Sequence, residues 1–196
     1  MLSALIIATF ANGCPIETRL AEPTWHLSRV IAHSGSTSGK APLFGGDDLP
    51  VLIGPTTAKA ILEHRPGFQK VYDETQIPPE LSERWQRINK PCLLMVAFGS
   101  WCEDSRRWVP EIIKLAEAGN PYISIYWVGT GKNKKAEKGW WPPKVKRQKI
   151  KKVPTVWLFA AAPKGKVNVV GRIVENPPKA GQTMAEALVE LLESVR

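Results

Sequence analysis

CLLMVAF, residues 92–98, is a nearly unbroken apolar run. It is too short to cross a bilayer, which takes ~18–20 apolar residues, and no other run in the chain is longer. It suits a strand buried on both faces, the kind found at the centre of a parallel sheet. The pattern then changes at once. Over 102–118 the apolar residues take helical spacing: Trp108, Ile112 and Leu115/Ala116 share a face, and Arg106, Arg107, Glu111 and Lys114 lie mostly away from it. ISIYWVGT (123–130) and TVWLFA (155–160) read as two further strands. KVNVVGRIV (166–174) reads as a fourth, folded back on the third through the turn AAPKGK. Thr183 and Glu186 stand at capping-box spacing ahead of a stripe of Met184, Leu188, Leu191/Leu192 and Val195, which marks a final helix. Parallel neighbours need a long crossover and antiparallel ones only a turn. The order therefore predicts an α/β domain: a mixed sheet of about four strands with helices on both faces.

Upstream, TTAKAILEH (56–64) and PPELSERWQRINK (78–90) read as short helices, the second with its prolines in the first turn. Three segments are expected: an apolar N-terminus and flexible linker over 1–48, an N-terminal helical extension over 49–90, and the main domain over 91–196 with a basic insert at 132–152. MLSALIIATFANG places small residues, Ala11 and Gly13, where an export cleavage site wants them, and Cys14 follows as in a lipoprotein end. Against this, the stretch is short, no Lys or Arg precedes it, and Pro15 follows the cysteine. A loose apolar terminus is the alternative. The balance favours an exported or membrane-tethered chain over a cytoplasmic one, with 34–48 as the tether.

The charge is local. Residues 132–152 hold ten Lys/Arg against one Glu, which equals the formal +9 of the whole chain. Trp140, Trp141, Pro142 and Pro143 interrupt the run. A solvated segment whose tryptophans cover the domain is the first reading. An anionic partner or acidic client is the second. Nucleic-acid binding ranks last, since no nucleic-acid module is present.

FGSWCEDSRRWVP (98–110) sets Cys102 at the junction of the first strand and its helix. Amide N–H groups at a helix start lack partners and carry partial positive charge, which favours a nucleophilic thiolate there. Trp101-Cys102-Glu103-Asp104-Ser105, with Pro110 eight residues past the cysteine, Val153-Pro154-Thr155 before a strand, and Gly171 before the last helix, resembles the thioredoxin superfamily over about residues 88–196. GSWCEDSRRWVP and VGRIVENPP look similar to a bacterial thioredoxin-like subgroup with W-C-x-D-S sites. The resemblance implies a thioredoxin-like fold, a cis-proline at Pro154 facing the cysteine, and a client groove shaped by Trp101, Val153, Pro154 and Thr155. The chain departs from the family at two places. Ser105 stands where the resolving cysteine would be, and Val96 where the family keeps a buried acid. Both missing parts belong to the internal release of a mixed disulfide.

Cys102 and Ser105 are accordingly the expected catalytic pair, the serine as a hydrogen-bond donor to the sulfur. Cys92, six strand residues from Phe98 at ~3.3 Å each, lies about 20 Å from the site and cannot resolve it. Three readings stay open: monothiol exchange with client proteins or small thiols and disulfides, a client-binding module without turnover, and an anion-binding protein working through 132–152. The three histidines are His26, His33 and His64, none at zinc-ligand spacing from a cysteine, so no metal is expected. No cofactor is expected either, apart from an external thiol such as glutathione.

Overall fold

The computed structural model describes residues 49–162 and 166–195. The expected N-terminal signal and tether, together with Cys14, lie outside them, as do residues 163–165 of the turn between the last two strands. Among the described residues five strands form one sheet: β1 (Gly54–Thr56), β2 (Cys92–Phe98), β3 (Ile123–Gly129), β4 (Thr155–Ala162) and β5 (Lys166–Val174). Their order is β1-β3-β2-β4-β5. β2 runs parallel to β3, and the β1–β3, β2–β4 and β4–β5 pairs are antiparallel. The α/β mixed sheet is as expected, with one strand more. The extra strand, β1, is only three residues long and carries no apolar alternation. It is held where the Leu52 carbonyl crosses Gly129, so closely that a Cβ there would sit 2.2 Å from the Leu52 oxygen.

The apolar run of β2 is explained by its two faces. Leu94, Val96 and Phe98 point into one core, Met95 and Ala97 into another, and all five are fully buried. The first core takes side chains from every α-helix: α1 (Ala58–His64), α2 (Pro66–Glu74), α3 (Pro79–Gln86), α4 (Glu103–Ala116) and α5 (Met184–Glu193). The expectation of helices on both faces is corrected here. The second face is covered by the basic segment, which contains a single 3-10 turn at Lys138–Trp140. Trp141 and Ile150 fill that core beside Val153, Trp157 and Phe159, and the Trp141 and Trp157 rings lie 5.5 Å apart, tilted by 60°.

The segment ahead of β2 contributes Ile61, Phe68, Leu81 and Trp85 to the first core. Thr57 caps α1 by accepting from the Ala60 N–H at 3.1 Å. α3 stops four residues before Lys90, shorter than its sequence suggested, because Asn120 takes over its end: Nδ2 donates to the carbonyls of Trp85 and Ile88 at 2.6 and 2.9 Å. At the other end of the domain the capping box of Thr183 and Glu186 opens α5. Gly171 lets α5 lie against β5; a Cβ there would meet Leu191 Cδ1 at 2.4 Å. Among the described residues no helix is long and apolar enough to cross a membrane.

Candidate functional site

Cys102 is the N-cap of α4, in extended backbone conformation (φ −96°, ψ 130°). Its N–H donates to the Gly99 carbonyl at 2.9 Å, and its carbonyl accepts the first helical bond, from Arg106 at 3.0 Å. The sulfur therefore sits at the mouth of α4, half-buried. It makes no capping bond to the first-turn amides. Instead the thiol donates to the Val153 carbonyl at 3.3 Å. The sulfur thus stands between the first turn of α4 and the loop that leads into β4.

The Val153–Pro154 peptide bond is cis. Val153, Pro154 and Thr155 are all buried. Thr155 Oγ1 donates to the Lys152 carbonyl at 2.7 Å, and the Pro154 carbonyl accepts from the Glu175 N–H at 2.7 Å. The loop before β4 is thereby fixed on one side by its own threonine and on the other by the chain leaving β5. Only the Val153 carbonyl turns to the sulfur.

Ser105 is fully buried, and its Oγ accepts from the Gly99 N–H at 3.1 Å. The expected bond from this hydroxyl to the sulfur is not formed; the serine ties the β2–α4 turn instead. Val96 lies in the first core among apolar neighbours, with no acid in its place. Trp101 is half-buried, its Nε1 donating to the Thr130 carbonyl at 3.0 Å. Its ring lies on Gly99, where a Cβ would come within 2.8 Å of Cε2. One face of the site is thus a fixed indole, with Lys134 Nζ 5.7 Å from its ring centroid.

Trp101 with Cys102 and the Val153–Thr155 loop come together from two distant parts of the chain. Cys92 does not join them. It opens β2 opposite Ile123 and Ala160, at the strand end away from the site, and burial pushes its thiol up to about 11. At neutral pH it is a protonated, poor nucleophile. Gly99, Thr130, Lys134 and Glu175 also shape the site and were not singled out from sequence. For Gly99 a signal existed, since a glycine two residues before a tryptophan leaves room for the ring. Thr130 and Glu175 act through backbone groups, and Lys134 reaches Trp101 only through the path of its loop. Among the described residues no three His, Cys, Asp or Glu side chains gather as metal ligands do.

A five-stranded mixed sheet with a cysteine at the mouth of the helix after its central strand, facing a cis-proline loop, defines a thioredoxin-like domain. A family model described as Thioredoxin matches residues 56–188, and the chain belongs to that family. No curated protein matches. Among solved structures, a protein of unknown function from Pseudomonas aeruginosa is similar at 20% identity and a TM-score of 0.48, over 69% of this chain and 89% of that one. An HIV epitope-scaffold is similar at 19% identity and a TM-score of 0.47, over 69% and 89% of the respective chains.

Proposed function

We propose that the protein carries out thiol–disulfide exchange as a monothiol, through Cys102. The observation that carries this reading is the pairing of a half-buried Cys102, its sulfur 3.3 Å from the Val153 carbonyl, with a fully buried serine engaged elsewhere. The Cys102 thiolate attacks one sulfur of a disulfide R–S–S–R′. A Cys102–S–S–R bond forms, and R′S⁻ leaves with the electron pair. Ser105 cannot perform the second attack, and Cys92 is at the wrong end of its strand. An external thiol, glutathione or a client cysteine, must attack the mixed disulfide, freeing the Cys102 thiolate and carrying R away in a new disulfide. This is reshuffling or deglutathionylation chemistry.

In this reading Trp101 is a fixed platform for the client, and its indole N–H is already spent on Thr130. Val153, Pro154 and Thr155 form the opposite wall, where an extended peptide would lie. The test is mixed-disulfide capture from cell extract, full chain against Cys102→Ala. Adducts that reducing agent releases are expected with the full chain and lost in the variant. Equal adducts from both proteins would sink the reading.

A further inference from the structure

Both ends of the basic segment are built into the Cys102 site. At its start, the Thr130 carbonyl holds the Trp101 indole, and Lys134 lies above the ring. At its end, Lys151 and Lys152 lead directly into Val153, whose carbonyl meets the sulfur. Nine of the ten cations in 132–152 are exposed, and Lys134 is half-buried. Among the described residues only Lys152 has an acidic partner, Glu175. Of the two acids in the first turn of α4, Glu103 pairs with Arg106, and Asp104 makes no ion pair among the described residues. Lys134, beside the Trp101 that precedes the cysteine, and Lys151, two residues before the Val153 whose carbonyl meets the sulfur, therefore have no acidic partner among the described residues, and most of the rest of the strip lies between them in the chain.

Resting on the exchange reading, we infer that the partner of Cys102 is an acidic polypeptide, with carboxylates on both sides of its reacting cysteine. The apolar residues of the segment decide against the other anions. Nucleic acid binds such strips by stacking on exposed aromatics, but Trp141 is 6% exposed against Trp157 and Trp140 lies over Gly54. A membrane surface calls for apolar side chains to insert, but Ile150 is buried, and Val145 and Ala136 pack on the second core. Neither of those anions brings a sulfur to the place where the strip begins and ends.

The test uses the full chain and three peptides of equal length, each with one cysteine held as a mixed disulfide with nitrothiobenzoate. One is rich in Asp and Glu, one in Asn and Gln, one in Lys and Arg. Attack by Cys102 joins the peptide sulfur to Cys102 and expels the coloured thiolate, so colour gives the rate. At low ionic strength the acidic peptide is expected to react about tenfold or more faster than the basic one. The contrast shrinks in about 0.5 M salt, and also in Lys132→Gln/Lys134→Gln/Lys151→Gln. Equal rates, or a contrast the triple variant leaves intact, overturn the inference.

Cysteine-free fluorescent peptides titrated into Cys102→Ala separate the two readings. Salt-sensitive binding of the acidic peptide without any exchange in the full chain sinks the exchange reading and sustains the partner class. Exchange at one rate for all three peptides, with no preferential binding, does the reverse. Tighter binding of a single-stranded oligonucleotide or of phosphatidylserine vesicles than of the acidic peptide also overturns it.

Discussion

Ser105 looks in the sequence like a crippled cysteine, and its environment gives it another job. Its oxygen accepts the Gly99 N–H inside a closed pocket of backbone and core. Ser105→Cys replaces that acceptor with a larger, weaker one, which costs about 1–3 kcal/mol for the stranded amide. It also places a thiol one helical turn from Cys102. The variant is expected to be less stable but to shed a peptide mixed disulfide without added thiol, whereas the native chain keeps it. Following the adduct by mass over time, with and without glutathione, checks this; an equally persistent adduct in the variant would show that Ser105 is not what blocks release. At this scale the sulfur and the proline loop were legible in the sequence through the family spacing. The direction of the Ser105 hydroxyl was not, because a buried hydroxyl goes to whichever unpaired backbone group lies nearest, and that depends on the turn.

Elements were legible in proportion to their period. β2 and α4 carry strong, opposite patterns and stand where the sequence puts them. α2 was missed because Phe68 is its one buried residue and Pro66 reads as a breaker, although at the first helical position it is well tolerated. β1 is defined by what crosses it rather than by its own residues. The joint between α4 and α5 shows an element-scale dependence of a different kind. Glu111 of α4, whose spacing placed it away from the apolar face, is instead buried, because it accepts from the N–H groups of Met184 and Ala185 at 3.3 and 2.9 Å, capping α5 from outside. Glu111→Ala is expected to cost roughly 1–3 kcal/mol in chemical denaturation, by stranding two buried amides. Burial pushes the Glu111 carboxyl up, more than the donors from Ala185 and Met184 pull it down. The folded chain therefore holds this proton more tightly than the unfolded chain. That contribution to stability is full below the ordinary carboxylate range and is lost as pH rises through the elevated value. The stability of the native protein relative to Glu111→Gln should fall across that interval, measured by urea titrations at a series of pH values. A difference flat with pH would mean that the carboxyl titrates alike in the folded and unfolded chains, and one that rises would mean that the fold holds it charged.

Over the whole molecule, the sheet is asymmetric in its cover. Five helices pack one face, and a largely irregular basic segment packs the other. The sequence could not show this. The segment has no period, and its charges conceal the few side chains that anchor it. Trp141 carries most of that anchoring, so Trp141→Ala is expected to cost ~3–5 kcal/mol, as for other large aromatics removed from a core. Loss of the near-ultraviolet signal of the Trp141–Trp157 pair should accompany the lowered midpoint, and an unchanged midpoint would mean that the second face is held by something else. The segment before β2 is equally part of the whole. Arg84 grips Glu193 through two bonds, of 3.0 and 2.6 Å, and Lys90 reaches the Val195 carbonyl at 3.0 Å.

The exposed lysines of the 132–152 strip also make it a substrate for trypsin-like proteases, and beneath it Trp141 and Ile150 close the second core. One cut there would unroof Trp157 and Phe159 and slacken the strand of chain that presents the Val153 carbonyl. Reactivity at the sulfur and resistance to digestion should accordingly disappear together, so that a nicked molecule is a silenced one even while its five helices still hold their side of the sheet.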